Sequence, residues 1–179
     1  LTLFVPTIAT TIYTVLDKTM LNNITGSMTE NGYYEQANKI SKMVLMLVTS
    51  LGTVMLPRIG RAFSENKKDE VKALLYKSFQ FVWFIGLALC FGLIGIARNF
   101  SPWFFGLGYE KVPYLIMIMA TLLPIIGLSN VIGIQYLVTT KRESLLTRSV
   151  CIGAAANFVM NMILIHQLYS YGAAIASVI

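Results

Sequence analysis

In a stretch otherwise rich in isoleucine, valine and leucine, Thr7, Thr10, Thr11, Thr14, Asp17 and Lys18 step by three and four positions. That spacing puts them on one face of an α-helix as a polar stripe, with Leu3, Val5, Ile8, Ile12 and Val15 on the other faces. A second run repeats the pattern with Glu35, Asn38, Lys39, Lys42, Thr49 and Thr53. Polar groups inside apolar helices are expensive unless water, a ligand or a partner meets them. Lys18, Lys39 and Lys42 also exceed what Asp17 and Glu35 can neutralise. A surplus of positive charge in a partly desolvated cavity attracts anions, with pyrophosphate or an acidic sugar as natural guests. Lys18, Lys39, Lys42, Asp17, Glu35 and Thr14 are therefore the candidate cavity residues. Each also has a plainer role. A threonine can bond its own backbone, Lys18 can reach for an interface, and Asp17 can pair with Lys39 or Lys42. For any one threonine the plainer role is favoured, whereas the surplus of lysines favours the cavity.

Other chemistries find little material. One histidine, His166, cannot build a metal cluster, and it sits beside Tyr169 and Tyr171, where an interfacial role fits better than a proton relay. No phosphate-binding P-loop occurs. Cys90 and Cys151 lie inside apolar runs and read as free, buried thiols rather than a disulfide. Asn130, Gln135, Asn157 and Asn161 read as helix-to-helix glue, the last two sharing a face. Gly86, Gly92, Gly95, Gly127 and Gly133 predict close helix packing. Asn23 and Asn99 open glycosylation sequons that arise often by chance. No cofactor, metal or nucleic-acid partner is expected, and the chain does not read as an enzyme.

The elements that must position these residues follow from composition. Of 179 residues 56% are apolar and 12% charged, with mean hydropathy +0.68. A soluble domain carries about 25% charged residues, so this chain is solvated partly by lipid. A hydrocarbon core of about 30 Å takes roughly 20 helical residues to cross. Runs at 1–21, 37–56, 79–97, 112–138 and 150–168 meet that length, and another begins at 172–179. The fold class is all-α, a polytopic transmembrane helix bundle, with residues 1–179 forming a partial lobe. Pro124 predicts a kink inside the fourth run. Arg58, Arg61, Lys67, Lys68, Lys72 and Lys77 gather in one link, and Lys141, Arg142 and Arg148 in another; residues 22–36 hold no basic side chain. The positive-inside rule then runs the first span outward from the cytoplasm, so the charged end of the second span is its outer end. Within the first basic link, Asn66 can cap an amphipathic helix over 66–78, with Val71, Leu74, Leu75 and Phe79 on one face and lysines on the rest. Tyr33, Tyr34, Trp103 and Tyr109 fit an aromatic belt. Leu1 and Ile179 both fall in mid-helix, as expected of an internal piece of a longer protein.

Three stretches carry a resemblance: Tyr13 to Leu21 (YTVLDKTML), Gly32 to Ile40 (GYYEQANKI) and Val54 to Arg58 (VMLPR). Together they resemble the bacterial repeat-unit flippases of the Wzx type, within the multidrug/oligosaccharidyl-lipid/polysaccharide export superfamily. The resemblance covers essentially the whole chain in segment order and loop character, and the GYYEQANKI stretch is its most specific part. It implies two six-helix lobes flanking a cavity, with this chain as most of the second lobe. The implied activity is moving an undecaprenyl-pyrophosphate-linked oligosaccharide across the bacterial cytoplasmic membrane, for O-antigen, capsule or exopolysaccharide assembly. The implied partners are the lipid-linked substrate, membrane lipid and other polysaccharide-assembly proteins. Lysines 18, 39 and 42 would give the headgroup a cationic path, with Asp17 and Glu35 tuning them and Asp17 able to hold a proton or sodium. A multidrug exporter of the same superfamily and a lipid II flippase share this fold. A membrane glycan polymerase or ligase ranks below them, because the outer links are short.

Overall fold

The computed structural model describes residues 4–178, and side chains from position 15 onward. Helices account for nearly all of it, and no strand occurs among the described residues. The helices are α1 (Phe4–Thr25), α2 (Met28–Ser64), α3 (Lys68–Phe105), α4 (Val112–Ala120), α5 (Leu122–Asn130), a π-helix (Val131–Val138), α6 (Glu143–Leu168) and α7 (Ser170–Val178). Among the described residues four stretches are long and apolar enough to cross a membrane: α2, α3, Val112–Val138 and α6. The chain is a multi-pass helical membrane bundle.

Hydropathy alone understates the helices. At 37 and 38 residues, α2 and α3 are each about 55 Å long and project beyond the hydrocarbon. The segment at 66–78 is largely the start of α3 and runs into the third apolar run without a break. Nor does Asn66 cap it. Lys67 stands at the cap without a side-chain bond, and Asn66 takes a left-handed φ of 56° in the tight turn between α2 and α3. Pro57 and Pro102 lie inside helices. The fourth run is interrupted at Thr121, three residues before Pro124. Proline lacks the N–H that would have bonded the carbonyl of Ala120, so the ladder lapses there. Eight residues of π-helix follow.

The buried positions form seams at steps of three, four and seven. On α2 they are Tyr34, Ala37, Ser41, Val48, Gly52, Ile59 and Ala62. On α3 they include Ser78, Val82, Gly86, Cys90, Leu93 and Ala97. Small residues dominate because lipid tails leave little hydrophobic drive between helices and close contact must supply the cohesion. Gly127 marks a close three-helix crossing: a Cβ there would lie 2.6 Å from Val82 Cγ1 and 2.7 Å from Val48 Cγ1. The main core joins Leu21, Ala37, Leu93, Leu115, Met119 and Ile165 around α4. A thinner cluster of Ile59, Ala62 and Val71 holds the basic end. Met46, Phe84, Phe91 and Ile152 point outward, as lipid-facing side chains do. Cys90 is buried, whereas Cys151 is exposed on α6.

Candidate functional site

Gly26, at φ 63°, turns the chain back after α1, and Ser27 caps α2 by accepting from the Glu30 N–H at 3.3 Å. That reversal sets Asp17 against Tyr34 and Lys18 against Glu35 across the two helices. Neighbours on a helix point about 100° apart, and here the difference separates two sites.

Asp17 turns inward and is 2% exposed. Its Oδ1 accepts from Asn161 Nδ2 at 2.5 Å, and its Oδ2 accepts from Tyr34 Oη and Ser177 Oγ, each at 3.2 Å. Asn161 also donates to Asn157 Oδ1 at 3.1 Å, and Asn157 donates to the carbonyl of Ala176 at 3.2 Å. Four helices, α1, α2, α6 and α7, therefore converge on one carboxylate. No lysine or arginine lies within 4 Å of it among the described residues. The plainer alternative, a pairing of Asp17 with Lys39 or Lys42, is not formed among the described residues. The buried Oδ1 of Asn161 has no partner among the described residues, and neither does Ser41 Oγ. A carboxylate among neutral oxygen and amide groups can hold a proton or a hard cation, because such groups offer oxygen ligands but no compensating charge.

Lys18 turns the other way. Its Nζ donates to Glu35 Oε1 at 3.1 Å, and Lys39 approaches the same oxygen at 3.6 Å. These side chains are part-exposed, so the pairs are weak and rearrange readily. Lys42 makes no ion pair among the described residues and lines a cavity of about 60 Å³ with Asp17, Tyr34, Asn38, Ser41 and Ser177. One carboxylate, Glu35, thus serves two lysines, and Lys42 stays without an ion pair among the described residues. Thr14, with Thr7, Thr10 and Thr11, lies outside the residues whose side chains are described.

Two features were missed in the sequence. Tyr34 belongs not to an aromatic belt but to the core, 3% exposed, with its hydroxyl on Asp17. Asn157 and Asn161 do join helices, Asn157 by donating to the carbonyl of Ala176 and Asn161 by donating to the acid 144 residues away from it. The signal was a lone acid in an apolar run facing a pair of asparagines at i and i+4 in another. His166 is exposed, and its Nδ1 lies 2.7 Å from the carbonyl of Met162.

A polar clasp closes the end of the bundle opposite the basic links. Glu30 takes a salt bridge from Lys111 through Oε1, and its Oε2 accepts from Ser170 Oγ at 2.6 Å. Tyr33 Oη donates to the carbonyl of Gly108 at 2.8 Å, and its ring meets Tyr109 edge-on at 5.9 Å. The hydrogen bond to Glu30 holds the Lys111 ammonium above the usual lysine range.

Known proteins supply an independent view. The family described as polysaccharide biosynthesis protein matches residues 1–114. A protein of Haloferax volcanii described as a "probable low-salt glycan biosynthesis flippase" is 20% identical over 146 residues, covering 82% of this chain and 31% of that protein. The chain thus spans about a third of the length of that curated relative. No solved structure matches. The match begins with α1 and runs past α3, so it takes in Asp17, the lysine face and the first three long helices, and on that ground the chain belongs to the polysaccharide biosynthesis protein family.

Proposed function

We propose that this chain is part of a flippase that carries an undecaprenyl-pyrophosphate-linked oligosaccharide repeat unit across the bacterial cytoplasmic membrane. The observation that carries the reading is that Lys18 and Lys39 share Glu35, while Lys42 lines a small cavity and makes no ion pair among the described residues. A pyrophosphate crossing a membrane needs cations that are available rather than spent on fixed carboxylates. The part-exposed Lys18–Glu35–Lys39 group can release a lysine to the substrate and take it back afterwards. Rocking of this lobe against a second one would alternate access to the two sides.

The test is complementation of a bacterium lacking its repeat-unit flippase with the full-length parent gene. Wild type should restore surface polysaccharide, and Lys18→Ala, Lys39→Ala and Lys42→Ala at matched membrane levels should each lower it about tenfold, as loss of one charge-assisted contact implies. Variants as active as wild type would make the lysines interfacial side chains with no part in transport.

One observation favours a second reading, a cation-coupled exporter of the same superfamily: Asp17 is buried without a cationic partner among the described residues. In the flippase reading the same acid binds and releases a coupling proton or sodium. Drug resistance conferred by wild type without restored polysaccharide would select the exporter.

A further inference from the structure

The basic end carries a feature that the lysine face does not use. The end of α2, the first turns of α3, the π-helix and the turn after it enclose an open groove of about 700 Å³, within the range of pockets that hold small organic ligands. Its floor is apolar, with Leu75, Phe79 and Ile132, and its rim carries Lys68, Lys72 and Arg142. Lys67 is also present, but Glu65 at 2.7 Å and Glu70 at 3.9 Å already answer its charge. No carboxylate reaches Lys68, Lys72 or Arg142 within 4 Å among the described residues. Phe79 and Ile132 stand 42% and 53% exposed. Lys18, Glu35, Lys39 and Lys42 do not line the groove, and no α1 residue with a described side chain does.

We propose that this groove holds one anionic phospholipid of the inner leaflet, with its phosphate among Lys68, Lys72 and Arg142 and an acyl chain along Leu75, Phe79 and Ile132. Charge and depth both favour this occupant. Lys68 and Phe79 are eleven residues apart on one helix, about 16 Å, which is the interval from headgroup level into the hydrocarbon. The positive-inside rule sets this end at the cytoplasmic leaflet, where anionic lipids attract clustered lysine and arginine. A zwitterionic lipid would bring no net negative charge to the three cations, and a small soluble anion would leave the apolar floor wet.

The full-length parent protein, purified in mild detergent, would be titrated with phosphatidylglycerol and with phosphatidylcholine, and bound lipid counted by native mass spectrometry. Wild type should bind phosphatidylglycerol at least tenfold more tightly. Each basic contact is worth roughly fivefold, so the combined variant Lys68→Gln, Lys72→Gln, Arg142→Gln should lose on the order of a hundredfold and bind both lipids alike. Phosphatidylglycerol should raise the melting temperature of wild type but not of that variant, whose exposed substitutions leave the core intact. Ile132→Trp, which fills the groove floor, should lower binding while keeping the three charges. Equal affinity for the two lipids in wild type, or full binding by the triple variant, would overturn the proposal. Displacement by millimolar inorganic phosphate would reassign the site to a free anion, and preferential displacement by a polyprenyl pyrophosphate would reassign it to the transported lipid. Cross-linking of Ile132→Cys to another segment of the same chain would show the groove to be an internal packing surface.

Discussion

Asp17 and Lys18 are adjacent in sequence yet belong to different electrostatic worlds. The acid ends in a shell of neutral donors from three other helices, while the lysine ends beside water and Glu35. Asp17→Leu should leave Asn161, Tyr34 and Ser177 facing an apolar side chain, a loss of about 2 kcal/mol given the modest value of single hydrogen bonds in membranes. A thermal or chemical unfolding curve in detergent measures it. Asp17→Asn keeps most of that network and should unfold near the wild-type temperature, while transport loses its dependence on the proton or sodium gradient in a vesicle assay. A gradient dependence that survives Asp17→Asn would place the coupling elsewhere. The helical spacing of residues 14, 17 and 18 was enough to mark a polar stripe. It could not say which neighbour meets which side of that stripe, because the partners at 157, 161 and 177 lie far along the chain. The lysines were legible as a surplus of charge. That Glu35 alone would serve two of them depends on how α1 and α2 pack.

At the scale of elements, the apolar runs at 37–56 and 79–97 lie inside the longer helices α2 and α3, while the run at 112–138 keeps its ends and divides into three helical pieces. Hydropathy falls off at the first lysines and arginines, whereas the hydrogen-bond ladder continues through them. Lysine, arginine, glutamate, alanine and leucine are all good helix formers, and the link at 68–78 is rich in them. The kink expected from Pro124 appears as an interruption at Thr121, since a proline weakens the turn that precedes it. Gly127 tests the packing that this interrupted stretch makes with its neighbours. Its added side chain would collide with Val48 on α2 and Val82 on α3 together, so Gly127→Ile should force the three helices apart. Overpacking of this kind costs about 1–3 kcal/mol. The expected result is a lower melting temperature, partly rescued by Val82→Ala, which makes room on one side.

The whole molecule is asymmetric along the membrane normal. One end is tied by Glu30, Lys111, Ser170, Tyr33 and Gly108, whereas the other ends in a thin cluster beside an open groove. Glu30→Gln should loosen the first end, and hydrogen exchange should quicken in residues 106–111 while residues 71–82 stay unchanged. On the alkaline side the clasp should endure. The raised Lys111 pKa means that its contribution is complete below the ordinary lysine value and fades only as pH climbs through the higher folded one. The same asymmetry makes α2 a lever with its fulcrum at the clasp. Its 37 residues give an arm of about 55 Å, so a swing of only about 5° near Glu30 carries Ser64 through about 5 Å. A pivot that barely disturbs its own hydrogen bonds can thus open or shut the far side, and spin labels near Ser64 should report a displacement that labels near Ser27 do not share.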